Sequence, residues 1–287
     1  MLQSLQNTVR EPFGTKSAIR QALMSPAGLR VVWVVVEAEE DVAVYEKFMQ
    51  PESTVVRTSE SETGRKGYAN VETIVREVKE EEPKAHIMGI RDADYSRFEA
   101  DYTVPENIFL TDRRDLEMML LEAESVKQTL RAWAPTYDDA FTKCVPICRF
   151  FGYLRIYNNV ADLSVTFHEH LRITKFWVYK QQALESNWEQ KSTTQFVELS
   201  ENKCTAVDVK AFISTRSLEK ENFYNVCRGH DLLKLLSLNL IDVQTYSVKA
   251  IMAKMIEAYS LDDFKSTQLY SSILAWQTAE SVTALVA

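Results

Sequence analysis

The sequence predicts an α/β fold: a Rossmann-like parallel sheet flanked by helices over residues 1–125, then a mainly α-helical region with a short β patch over 126–287. Two observations carry this. Strand-sized runs alternate with helix-sized amphipathic segments through the first 125 residues, which implies strands joined by helical crossovers. Beyond Tyr137 the apolar periodicity turns helical, with no repeat or low-complexity linker to mark further divisions.

The elements follow in order. Arg30 to Val36 reads as a buried, β-branched strand, and Glu39 to Met49 as a helix offering Val42, Val44, Tyr45 and Phe48 to the core. Thr54 to Thr58 forms a second strand. Gly64 to Gly67 breaks the chain before a charged helix, Asn70 to Glu82, whose Val71, Ile74, Val75 and Val78 share one face and which Pro83 ends. His86 to Arg91 and Ile108 to Thr111 are the third and fourth strands, and Asp115 opens a helix running on to Trp133. Further along, Tyr137 to Asn158 reads as a helix broken near Pro146, and Leu163 to Tyr179 leans to β. Ala206 to Ser214, Asp231 to Leu240, Thr245 to Tyr259 and Ser266 to Ser281 are helical. The boundary between the two regions is expected within Glu124 to Tyr137.

Composition narrows the function classes. Hydrophobic residues make up 46% and charged residues 26% of the 287, a globular balance. The longest apolar run, Val31 to Val36, is far below the ~18 residues that cross a bilayer. Met1 to Arg20 has no signal-peptide core, so a cytoplasmic protein without membrane attachment is expected. Cys144 and Cys148 lie four apart while Cys204 and Cys227 are isolated. The His168-Glu169-His170 cluster stands too far from any cysteine pair for a recognised zinc spacing, and buried thiols are the expected state. Residues 1–125 carry 15 Lys and Arg against 24 Asp and Glu, while the remainder is close to neutral. Bulk attraction to phosphate is therefore excluded for the first half, unless divalent cations gather there and dominate the local field.

The acidic residues are not scattered. Ligands of parallel α/β sheets collect at the carboxyl ends of strands. Glu37 follows the first strand, Asp92 and Asp94 the third, and Asp112 and Asp115 the fourth. Two ions such as Mg²⁺ or Mn²⁺, roughly 3.5–4 Å apart, can activate water and stabilise a leaving oxygen in phosphodiester cleavage. Glu37, Asp41, Asp92, Asp94, Asp115 and Glu117 supply carboxylates of the type such ions bind. Each has a plainer role open to it: Asp115 as a helix cap, Glu117 and Asp41 as first-turn residues favoured by the helix dipole, Asp92 and Asp94 as loop openers. Lys66, in the turn after the second strand, is the candidate cation beside a phosphate, or else an ordinary solvated turn residue.

The runs Val36-Glu37-Ala38-Glu39-Glu40-Asp41, Gly89-Ile90-Arg91-Asp92-Ala93-Asp94 and Thr111-Asp112-Arg113-Arg114-Asp115-Leu116-Glu117 together resemble the Toprim fold of OLD-like nucleases. More narrowly they resemble the Toprim effectors encoded beside ABC-type ATPases in PARIS-type anti-phage systems. The later Arg228-Gly229-His230-Asp231 extends the likeness toward the C-terminus. The resemblance implies Glu37 as general acid/base or metal ligand, and Asp92 and Asp94 as a metal-binding pair. It also implies Asp115 and Glu117 as a second acidic pair, and Asp41 as the aspartate trailing the glutamate. Ala38 departs from the family's usual glycine and should fit where φ is negative.

The implied activity is a Mg²⁺-dependent endonuclease, a toxic effector of abortive infection. It would cleave host tRNA as a homodimer once released by a partner ATPase. No Gly-x4-Gly-Lys-Ser/Thr motif occurs, so that ATPase would be supplied by another chain. An OLD-like DNA nuclease and a non-catalytic interaction protein with an acidic metal-binding edge are the alternatives.

Overall fold

The computed structural model describes residues 14–61, 66–99, 101–167, 169–178, 183–201, 203–240 and 246–286. Two compact units divide the chain. Unit 1 takes its residues from Met1–Ala93, Thr103–Asp112 and Ser260–Ala287, and unit 2 from Asp94–Tyr102 and Arg113–Tyr259. Both units are discontinuous in sequence, so no single cut near residue 125 separates them. Residues 113–125, expected with the sheet, belong to unit 2, and the C-terminal stretch belongs to the sheet unit.

Unit 1 holds a four-stranded, fully parallel sheet in the order β2-β1-β3-β4: β1 (Val32–Val36), β2 (Thr54–Thr58), β3 (His86–Arg91) and β4 (Ile108–Leu110). All five residues of β1 are buried, as a central strand covered on both faces requires. On one face, Trp33, Val35, Val55 and Ile87 pack against α1 (Thr15–Leu23) and α3 (Tyr68–Glu81). The buried Val71, Ile74, Val75 and Val78 of α3 recur at the spacing of one helical stripe. Helix α2 (Glu39–Tyr45) ends sooner than its apolar pattern suggests, yet Phe48 beyond it remains buried, stacked on Phe264 at 4.7 Å.

Unit 2 contains α4 (Leu116–Glu122), α5 (Glu124–Trp133), α6 (Tyr137–Val160) and a small antiparallel pair, β5 (Trp177–Val178) with β6 (Ala183–Leu184). It continues through α7 (Trp188–Leu199), α8 (Ala206–Thr215), α9 (Phe223–Val226), α10 (Gly229–Asn239) and α11 (Val248–Ala258). Three expectations are corrected here. The helix from Asp115 to Trp133 is two helices, because Ala123 adopts an extended conformation with ψ 136°. The break expected at Pro146 does not occur: proline removes one N–H, but α6 buries Tyr137, Ala140, Cys144, Cys148, Phe151 and Leu154 along its length, and that packing keeps it continuous. Helix α7, unmarked in the sequence reading, buries only Ser192 and Phe196, too weak an apolar stripe to announce itself. The β patch shrinks to two short strands. Gly64, His168, Tyr179 and Thr245 lie outside the described residues.

The C-terminal stretch of unit 1 adds α12 (Leu261–Lys265) and α13 (Gln268–Ala279). Asp112, just past β4, accepts the first two N–H groups of α13, from Gln268 (2.7 Å) and Leu269 (2.8 Å). Trp276 donates to Asn107 (2.8 Å) and meets Phe109 edge-on. Leu285 then forms an antiparallel bridge with Met49. No helix among the described residues is long and apolar enough to cross a membrane.

Because Asp112 satisfies two helix-start donors with a charge of the sign the dipole favours, Asp112→Ala should cost about 1–2 kcal/mol. Thermal melting would register a midpoint lowered by a few degrees, and Asp112→Asn, with one acceptor oxygen for two donors and no charge, should recover only part of the loss. An unchanged midpoint would mean that α13 is held by its apolar face alone.

Candidate functional site

In unit 1 the parallel topology puts the ends of β1, β2 and β3 on one edge, where α2 and α3 begin. Glu37 is the first residue after β1 and Asp92 the first after β3. The two strands are neighbours in register, Val35 opposite Gly89. The consequence is a direct link: the Asp92 N–H donates to Glu37 Oε1 at 2.9 Å. Both residues are half-buried. The loop after β3 is held from β4, since the Thr111 N–H donates to the Arg91 carbonyl (3.0 Å) and the Ala93 N–H to Thr111 Oγ1 (3.0 Å).

Asp41 closes the first turn of α2, its Oδ2 accepting the Ala38 N–H at 2.8 Å. Ala38 has φ −138°, where a Cβ is accommodated without strain, so alanine suits this position.

Lys66 reaches the same edge. Ser59, fully buried, receives its position from an N–H bond to the Val36 carbonyl (2.6 Å). Its hydroxyl both accepts from the Gly67 N–H (3.1 Å) and donates to the Gly67 carbonyl (3.2 Å). Gly67, at φ 125°, makes the turn into α3 that other residues resist. Lys66 pairs with Glu39 (3.0 Å) and Glu60 (3.4 Å), and the hydrogen bond to Glu39 holds its ammonium above the usual lysine range. Glu39 is exposed, and exposed pairs contribute only about 0–1 kcal/mol. A phosphate could therefore compete for this lysine.

Unit 2 contains Asp94, Asp115 and Glu117. Asp94 adopts a left-handed conformation, φ 44°, with its N–H bonded to the Arg114 carbonyl (2.7 Å). Asp115 is 5% exposed and caps α4: Oδ1 accepts the Met118 N–H (3.0 Å) and Oδ2 the Gly229 N–H (2.8 Å). Burial pushes its carboxyl pKa up, opposed by the Arg114 charge and by those two donors. Two donors need two acceptors, which an aspartate has and an asparagine lacks. The capping role weighed for Asp115 in the sequence is thus the one it occupies here. Glu117 lies in the first turn of α4, half-buried, with its Cβ against Gly229.

Sequence reasoning passed over the polar cluster around this cap. Arg114 is buried, stacked over the Tyr95 ring at 4.4 Å and 3.8 Å from Asp94. Burial works against its charge, but Tyr95, Asp115, Asp94 and Asp231 outweigh burial and keep it protonated. Asp231 pairs with Arg155 (2.7 Å), whose guanidinium lies over Phe167 at 4.2 Å. The segment Arg228 to Asp231 is the visible trace of this cluster in the sequence: Gly229 meets the Asp115 carboxylate, Asp231 meets Arg155, and His230 sits between them at the start of α10.

All four cysteines are free and buried, as expected. Burial pushes the Cys144 thiol up to about 12 and raises that of Cys148, which also has Cys227 as a hydrogen-bonding neighbour.

Among the described residues, no three His, Cys, Asp or Glu side chains stand close enough together to hold a metal ion. Mg²⁺ asks for less than such a cage: it keeps several waters and takes one or two protein carboxylates, with substrate phosphates completing its shell. Glu37 and Asp92 carry the hard oxygen donors Mg²⁺ takes and follow adjacent strand ends, where the Glu37 carboxylate accepts the Asp92 backbone N–H.

A Cβ on Gly229 would lie 2.4 Å from Glu117 Cβ and 2.5 Å from Asp115 Oδ1. Gly229→Ala should therefore force the cap apart and destabilise the protein by about 1–3 kcal/mol. Chemical denaturation would detect this as a lower midpoint, whereas an unaltered midpoint would show that α10 shifts freely at its start.

No protein-family model and no curated protein matches this chain. The functional reading rests on the residues themselves.

Proposed function

We propose that this protein is a divalent-cation-dependent phosphodiesterase of the Toprim type, a nuclease whose working edge is built on Glu37 and Asp92. The observation that carries the reading is that Glu37 and Asp92 follow the carboxyl ends of adjacent parallel strands, with the Glu37 carboxylate accepting the backbone N–H of Asp92. Mg²⁺ or Mn²⁺ would be held by Glu37 and Asp92, and the motif resemblance adds Asp41, Asp94, Asp115 and Glu117 to the set. When bound, such a cation lowers the pKa of a coordinated water and neutralises phosphate charge. Glu37, oriented by the backbone N–H of Asp92, would act either as a ligand of the cation or as proton acceptor for the attacking water. Lys66, exchanging Glu39 for a phosphate oxygen, orients the scissile group.

The finer reading rests on the motif likeness. It is an RNA nuclease acting on host tRNA, the toxic effector of an anti-phage abortive-infection system. In that system an ABC-type ATPase on a separate chain restrains it, and it acts as a homodimer on release. The compact form of Asp115, with both oxygens already accepting backbone N–H groups, favours a rival in which part of the acidic set is structural. In that rival the protein is an interaction module.

Purified protein incubated with tRNA and Mg²⁺ should cleave it, and excess EDTA should stop the reaction. Glu37→Ala should lose about 10²–10⁴-fold in rate, the range for removing a general base. Cleavage of plasmid DNA in place of tRNA would move the protein to the OLD-like DNA nucleases. Undiminished cleavage by Glu37→Ala would remove the proposed centre altogether.

A further inference from the structure

Among the described residues, Tyr68 is one of the few large hydrophobic side chains left in the open, 50% exposed. It is the first residue of α3, directly after Lys66 and Gly67, so the Ser59 bonds that pin Gly67 to the end of β2 also fix where Tyr68 starts. Its ring is not loose. The Arg91 guanidinium lies over it at 5.0 Å, and that guanidinium is buried and paired with Glu72 at 3.0 Å. Glu72 follows Tyr68 by four residues, one helical turn, so both reach Arg91 from the same face of α3. Arg91 is the last residue of β3 and immediately precedes Asp92. A half-exposed aromatic ring is thus backed by a buried cation, one residue from a carboxylate of the proposed centre.

A helix-to-sheet clamp alone explains the Arg91–Glu72 pair, which an aliphatic residue at position 68 would leave intact. It does not explain a ring with half its surface in water. A lone exposed tyrosine is ordinary in itself, but this ring is held over a buried guanidinium with half its surface open, at the turn that carries Lys66. The neighbouring residues point to an occupant. A chain that handles phosphodiesters at Glu37, Asp92 and Lys66 must place the bases of its substrate somewhere along the same edge. Flat heteroaromatic rings stack on tyrosine irrespective of sequence, and a guanidinium beneath the tyrosine ring holds it flat for that purpose.

We propose that Tyr68 is a stacking platform for an unpaired nucleobase beside the scissile phosphate, making single-stranded or looped nucleic acid, and not continuous duplex, the substrate class. This rests on the phosphodiesterase reading given above. A base inside a duplex is already stacked on its neighbours and offers no free face, so Tyr68 selects nucleotides that loops and single strands expose.

The test uses the full-length protein with a short unstructured RNA carrying the fluorescent base 2-aminopurine, the same sequence as DNA, and each annealed into a duplex. Wild type should bind the single strands, RNA or DNA, and quench the fluorescent base, while Tyr68→Phe should match it. Tyr68→Leu should bind about 10-fold more weakly, without quenching, and should raise KM with kcat little changed. Ultraviolet irradiation of the wild-type complex, followed by mass spectrometry, should place a nucleotide adduct on Tyr68, a readout that survives if Tyr68→Leu does not fold. Equal binding and quenching by Tyr68→Leu, an adduct elsewhere, or equal Tyr68 dependence with duplex would each overturn the platform. The two proposals fail separately. Cleavage abolished by Glu37→Ala but indifferent to Tyr68 sinks the platform alone, whereas Tyr68-dependent binding with no cleavage under Mg²⁺ sinks the nuclease reading alone.

Discussion

The hydrogen bond from the Asp92 N–H to the Glu37 carboxylate is the interaction on which the functional reading depends. It exists because β1 and β3 run parallel as neighbours and end within one residue of each other. Parallel pairing of this kind is stable only when both faces are covered, and the complete burial of β1 shows that they are. The apolar packing of Trp33, Val35 and Ile87 under α1 and α3 therefore does more than hold unit 1 together. It sets the register that brings two acidic residues, 55 positions apart in the chain, into contact.

The same edge gathers its other features through the backbone. Ser59 ties the end of β2 to the end of β1 and to Gly67, and the turn at Gly67 delivers Lys66 on one side and Tyr68 on the other. Asp41 fixes the start of α2. Each of these contacts is short-range and built on rigid elements, the arrangement that holds functional side chains within a small tolerance. In unit 2 the acidic residues are used differently. Asp115 is committed to two backbone donors, and Gly229 has no room for a side chain beside it. This cap and the buried Arg114 and Arg155–Asp231 groups form a polar core whose every charge has an opposing one nearby.

The strands and α3 were legible because their burial follows a simple period. Thr54–Thr58 and His86–Arg91 match their expected bounds, and the three valines and one isoleucine buried on α3 mark its inner face. Helices whose buried stripe is short or built of small residues were not. Helix α1 buries Ala18 and Ala22 beside Ile19 and Leu23, and α7 buries little beyond Phe196. Position after a strand pointed to Glu37 and Asp92, and the parallel topology does place those two strand ends side by side. It could not separate them from Asp112, whose partner is the start of a helix more than 150 residues away. Nor could it foresee Arg114 or Asp231, because long-range pairing of buried charges leaves no local periodicity. Tyr68 was invisible for the opposite reason: an aromatic at a helix start reads as core until its exposure is known.

A diffraction experiment on crystals soaked in Mn²⁺, with data collected at the manganese absorption edge, tests the central claim most directly. An anomalous peak is expected within coordination distance of carboxylate oxygens from both Glu37 and Asp92. A peak confined to other residues, or none at these two under saturating Mn²⁺, would contradict it.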